Sequence, residues 1–242
     1  MLWLYRLFEI PVWIYAVLAL TLGRAWICRR RLDRAYAAAA RMPSPRGLSG
    51  AEAAAEMLRS AGIEGIAVVP GRGPMGTGYD SVAQTLRLPH QVYHGHTLAD
   101  VAWAAHAVGH ALQHAGGDAP QPLALREAIA SGVRLAAGTA YLLLVVGLVL
   151  DIPRLLAAGT LVLAGAVLAP MLTLSTERDA ARRAARVLRM AALIDSAGAR
   201  LVDPILAASV TAEAGAILPR WREATWHRPE QPPHRPRALP NP

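Results

Sequence analysis

The chain has 242 residues, 54% of them hydrophobic and 17% charged, with a mean hydropathy of +0.28. A soluble domain of this length carries about 25% charged residues, so the apolar excess points to a bilayer, and the composition excludes a disordered chain, a collagen and a disulfide scaffold. Cys28, the single cysteine, cannot bridge within the chain. The net charge is +8 and every basic residue is arginine. Arg29, Arg30, Arg31 and Arg34 follow one apolar run, and Arg178, Arg182, Arg183, Arg186 and Arg189 follow another. That is the positive-inside pattern of a membrane protein, and nucleic acid is not an expected partner.

In chain order, residues 11–28 form an apolar run with Trp3, Tyr5, Trp13, Tyr15 and Trp26 placed as interfacial aromatics, and read as a transmembrane helix. A signal peptide would carry its charges before the apolar run, whereas here they follow it. Residues 51–60 read as a short helix entered through Ser49, with Glu52 completing an S-x-x-E capping box and Gly62 ending it. Residues 66–69 and 85–88 have strand character and flank a Gly-rich loop over 71–80. Residues 98–114 form a helix capped by Thr97, with Asp100 in its first turn.

Residues 135–150 and 155–174 are two apolar runs joined by Asp151, Ile152, Pro153 and Arg154. At about 1.5 Å per residue the second spans about 30 Å, and the first reaches the same depth if Arg134 snorkels. Together they predict a transmembrane hairpin, with Pro170 near the end of its second limb. An Arg-rich helix over 177–194, a weaker helix over 203–218 and a Pro-rich disordered tail from 221 complete the chain. Placing both arginine clusters in the cytoplasm puts the amino terminus and the 151–154 link outside.

His106 and His110 lie four residues apart in the 98–114 helix, a spacing that turns both imidazoles to one face and suits a tetrahedral Zn²⁺. His114 lies about 12 Å along the axis from His106, too far to share the ion. A carboxylate from elsewhere must complete the set, and Asp118, Glu127, Glu177 and Asp179 are the candidates. Glu177 stands out because it follows the hairpin directly. The histidines of His94-Gly95-His96 read as a solvated turn. Tyr79, His90 and Tyr93 are candidate oxyanion stabilisers, and Thr85, Leu86, Arg87 and Leu88 read equally as an edge strand for a bound peptide or as plain sheet core.

The stretches GLSGAEAAAEML from Gly47, VVPG from Val68, YDSVAQTLRL from Tyr79, LADVAWAAHAVGHALQH from Leu98 and TLSTERDAARRA from Thr173, in this order, resemble the YugP-type bacterial membrane zinc metallopeptidases. The resemblance implies a gluzincin-like fold with His106, His110 and Glu177 as zinc ligands and Asp179 as support behind a ligand. It also implies that position 107 belongs to the glutamate of HExxH, which moves a proton from the attacking water to the leaving amine. Ala107 stands there instead and can do neither. An introduced inactivating substitution or a naturally inactive chain would each account for it, and the intact ligands favour the first.

The expected molecule is a mainly α integral membrane protein of a bacterial inner membrane, multi-pass, with a small α+β zincin-like domain on the cytoplasmic side. Its expected layout is an N-terminal transmembrane helix and basic flank at 1–34, the zincin-like domain at 35–134, the hairpin at 135–176, ligand-bearing and C-terminal helices at 177–220 and the tail at 221–242. The expected activity is zinc-dependent endopeptidase chemistry on a peptide or membrane-protein substrate, silenced by Ala107, with a membrane-protein partner or a second copy as further company. A non-catalytic membrane binding module is the alternative.

Overall fold

The computed structural model describes residues 11–71, 78–119 and 123–211 and is mainly helical. The tail from 221, residues 212–218 of the last expected helix and residues 72–77 of the Gly-rich loop lie outside the described residues.

Helix α1 (Val12–Ala39) carries the first apolar run and continues through the arginine cluster. Helix α2 (Gly50–Ser60) starts at the expected capping box: Ser49 Oγ accepts from the Glu52 N–H, and Glu52 accepts from the Ser49 N–H. Its Ala53, Ala54, Met57 and Leu58 recur at helical spacing, and all four are buried.

Strands β1 (Ala67–Gly71), β2 (Gly78–Asp80) and β3 (Thr85–Pro89) form one sheet in the order β1-β3-β2. β1 runs parallel to β3 with Ala67 opposite Thr85, and β2 antiparallel with Gly78 opposite Arg87. Of the two readings of residues 85–88, an edge strand for a peptide or plain sheet core, the first is corrected and the second holds: β3 is central and its backbone is paired on both sides. The second partner, β2, lies inside the Gly-rich stretch, where three residues offer no alternating pattern to read. The reversal between β2 and β3 depends on Asp80, which accepts from the Val82 and Ala83 N–H groups and pairs with Arg87 at 2.6 Å. Leu86 and Leu88 then fill the core while Arg87 faces outward.

A short helix α3 (His90–His94) precedes α4 (Leu98–Gly116), which opens on a capping box between Thr97 and Asp100 and closes at Gly117 in the left-handed conformation. Helices α5 (Leu123–Val149) and α6 (Pro153–Leu168) are the hairpin. Their turn carries Asp151 at a φ of 57°, a conformation Asp tolerates better than most residues. Small residues let the limbs meet closely, since a Cβ at Gly159 would lie 3.0 Å from the Ala140 carbonyl oxygen. One 3₁₀ segment (Ala169–Thr173) around Pro170 leads into α7 (Leu174–Met190).

The last helix differs from the expectation over 203–218. Helix α8 (Ser196–Ser209) starts earlier, at Asp195, whose carboxylate accepts from the Gly198 N–H, and Pro204 lies inside it. Asp203-Pro204 imitates a cap followed by a first-turn proline, which displaces the boundary in a sequence reading.

Two cores result. One gathers α2, the sheet, α4, α7 and α8 around Met57, Leu86, Val108 and Leu188. The other joins α1, α5 and α6 through Ala25, Ala137, Ala140, Leu163 and Ala166. Three helical stretches, Val12–Ala39, Leu123–Val149 and Pro153–Met190, are long and apolar enough to cross a membrane. Leu20, Leu135, Leu142, Val145 and Leu161 stand exposed on them.

Candidate metal centre

Helices α4 and α7 make the site by touching almost backbone to backbone. A Cβ at Gly109 would lie 2.4 Å from the Ala180 carbonyl oxygen, so only glycine permits this approach. On α7 the residues Glu177, Ala180, Ala181 and Ala184 form the buried stripe facing α4, and the first of them is the carboxylate. The crossing thus carries Glu177 to the face from which His106 and His110 project.

Glu177 Oε2 lies 3.3 Å from His106 Nε2 and 3.5 Å from His110 Nε2, and one ligand atom from each residue lies within 4.8 Å of the others. His110 and Glu177 are buried, 2% and 4% exposed, and His106 is partly so. The hydrogen-bond network fixes which nitrogens carry protons. Ser209 Oγ donates to the Leu206 carbonyl and therefore accepts from His106 Nδ1, 3.1 Å away. Gln113 Nε2 donates to the Thr176 carbonyl and to Asp179 Oδ2, so its Oε1 accepts from His110 Nδ1 at 3.0 Å. With Nδ1 protonated in both rings, each Nε2 presents a lone pair toward Glu177 Oε2.

Burial, with the Arg126 charge second, pushes the His110 pKa down to about 4 against the opposing pull of Glu177. His110 is therefore neutral near pH 7, the form that ligates a metal. Its Nε2 is buried with no hydrogen-bond partner. An unpartnered buried nitrogen costs roughly 1–3 kcal/mol, and a cation at the convergence of two imidazole lone pairs and a carboxylate would supply the missing partner. The donor set and its geometry fit Zn²⁺.

The other residues singled out in the sequence sit as follows. Asp118 pairs with Arg183 at 2.9 Å, and Glu127 accepts from the Ser81 N–H. Asp179 points away from Glu177 and touches Gln113 and Arg183, which puts it behind His110. His114 Nδ1 lies 2.6 Å from the Tyr79 hydroxyl, which it occupies. His90 and Tyr93 pack against His94 in and around α3, and His96 Nδ1 bonds the Gly47 carbonyl. Ala107 is buried, 3% exposed. Among the described residues no further His, Cys, Asp or Glu joins the cluster.

Gln113, Ser209 and Arg126 are the residues that sequence reasoning missed. Gln113 lies three residues beyond His110 on one helix, a spacing that could have revealed it. Ser209 and Arg126 come from other helices and left no local signal. Arg126 Nε donates to Glu177 Oε1 at 2.6 Å.

Comparison with known proteins agrees with this geometry. The family model described as "Putative neutral zinc metallopeptidase" matches residues 12–218. A protein of Bacillus subtilis (strain 168), "Putative membrane protease YugP", is 32% identical over 172 residues, covering 71% of this chain and 76% of that one. No solved structure matches. The match runs from the first membrane-type helix to beyond α8 and takes in both helices that build the candidate site, so this chain belongs to the neutral zinc metallopeptidase family.

Proposed function

We propose that the chain is a multi-pass inner-membrane protein that holds one Zn²⁺ between His106, His110 and Glu177 on the cytoplasmic side, and that its peptidase chemistry is silent because Ala107 occupies the position of the general base. The observation that carries the metal is the buried His110 Nε2, aimed with His106 Nε2 at a carboxylate oxygen and given no donor. Zinc held there would polarise a peptide carbonyl and make water a better nucleophile.

The protein's own groups then divide the work. Gln113 and Ser209 hold the ring protons on Nδ1, and Asp179 holds the Gln113 amide. The Ala107 methyl can neither take a proton nor pass one to the departing nitrogen. An extended peptide or membrane-protein segment would pair with β2, the antiparallel edge strand packed on α4, rather than with residues 85–88. The layout that goes with this reading is a membrane unit made of the first helix and the hairpin, with the sheet and α4 projecting into the cytoplasm.

General acid–base assistance contributes about 10² to 10⁴ in rate, so the chain as it stands should leave peptides uncut. Ala107→Glu, loaded with zinc, should cleave an unfolded or membrane-adjacent peptide, a chelator should abolish that cleavage, and Ala107→Glu with His110→Ala should stay silent. If Ala107→Glu binds zinc and cuts nothing across a broad peptide library, the peptidase reading fails. The alternative, a zinc-stabilised membrane module that binds a peptide or a membrane protein without cutting it, then stands, and the lack of a titratable group at position 107 favours it.

A further inference from the structure

Glu177 divides its two oxygens between different partners. Oε2 faces the two imidazoles, and Oε1 is taken by Arg126, whose Nε lies 2.6 Å away. A short ion pair of this kind is a charge-assisted hydrogen bond, stronger than a neutral one, and it fixes the plane of the carboxylate. Both side chains are largely shielded, 17% and 5% exposed, so water has little access to replace the contact. The contact also spans the hairpin: Arg126 lies in the first turn of α5, and Glu177 in the first turn of α7, just beyond the other limb.

A carboxylate with both oxygens free can chelate a dication through both, raising its coordination number and filling the position that water or a substrate carbonyl needs. We infer that Arg126 is a positioning residue that holds Glu177 to one-oxygen ligation through Oε2 and so keeps a coordination position open. This rests on the metal-centre reading. The same pair makes the ligand answer to the hairpin, because moving the start of α5 moves the group that sets the carboxylate plane.

The test uses the whole protein in detergent and does not depend on turnover. Cobalt(II) in place of zinc absorbs strongly in the visible when four-coordinate and weakly when five- or six-coordinate. Wild-type protein should take about one Co²⁺ per chain with the strong band. Arg126→Gln should take the same amount with a band several-fold weaker, and Arg126→Lys, which still offers one donor to Oε1, should restore it. X-ray absorption on zinc-loaded wild-type protein should show a one-oxygen carboxylate, and this decides the matter even if Arg126→Gln does not fold. A two-oxygen carboxylate in the wild type, or an unchanged band in Arg126→Gln, overturns the role of Arg126 while leaving the metal centre intact. Failure of the wild-type protein to bind Co²⁺ or Zn²⁺ brings down the metal centre and this role with it.

Discussion

At His110 the position of one proton decides what the ring can do. Gln113 Oε1 can only accept there, because the amide nitrogen is spent on the Thr176 carbonyl and Asp179. Replacing Gln113 by Leu removes the acceptor and leaves Nδ1 buried without a partner. Outer partners of this kind are worth about 10- to 100-fold in metal affinity, so Gln113→Leu should weaken zinc binding by that order in a competition titration with a chelating dye. Glu177→Ala and His110→Ala should abolish it. Asp118→Ala and Glu127→Ala should leave zinc content at the wild-type level, since the exposed Asp118 bonds Arg183 and Glu127 a backbone N–H; zinc loss in either variant with retention in Glu177→Ala would remove Glu177 from the ligand set. The histidine pair was legible because helix periodicity alone turns positions 106 and 110 to one side. Glu177 stood out from four carboxylates by its place directly after the hairpin, and the resemblance made it a ligand. Arg126 and Ser209 were not legible, because each reaches the site through a contact between helices that no local spacing encodes.

Helix-scale packing explains why the ligands meet. Gly109 lies between the two helices' backbones, and a methyl group there would strike the Ala180 carbonyl. Overpacking of this kind costs roughly 1–3 kcal/mol, so Gly109→Ala should lower thermal stability and, by pushing α7 outward, reduce zinc content as well. A fall in stability with full zinc affinity would show that the α4–α7 crossing does not set the ligand distance. The end of α7 offers the opposite change. Ala192 adopts a φ of 50°, just past the last turn, where its N–H and that of Leu193 bond back to Arg189 and Leu188. Ala192→Gly should stabilise the fold by about 1 kcal/mol, read as a raised unfolding temperature in the same detergent. Most elements were legible from the sequence: the capping box sits where Ser49-Glu52 places it, Thr97 caps its helix as expected and adds a reciprocal bond from Asp100, and the apolar runs became helices. The failures share a cause. β2 is three residues long, the order β1-β3-β2 depends on pairing across the chain, and Pro204 sits inside a helix whose real cap lies nine residues earlier at Asp195.

At the scale of the whole molecule, the proposed membrane unit would bury the exposed leucines and valines of α1, α5 and α6 in lipid, and the arginines would set which way the bundle faces. Arg178, Arg182, Arg186 and Arg189 are exposed along one side of α7, just beyond the hairpin's second limb, and Arg30, Arg31 and Arg34 are exposed in the second half of α1. Arg24 Nη2 reaches Met171 Sδ at 3.2 Å, which sets the middle of α1 beside the far end of the hairpin's second limb, while the turn at Asp151 lies at that limb's other end. On the proposed reading, positive-inside bias would put the His106, His110 and Glu177 cluster in the cytoplasm and the turn outside. Cys28 is half-buried against the hairpin and would resist a thiol reagent for steric reasons in either orientation, so it is best replaced by Ser. In that background Ile152→Cys should react with a membrane-impermeant maleimide on intact cells, because Ile152 is exposed. Arg182→Cys, exposed on α7, should react only after the cells are permeabilised. The reverse pattern would turn the protein over and move the cluster of His106, His110 and Glu177 to the outer face.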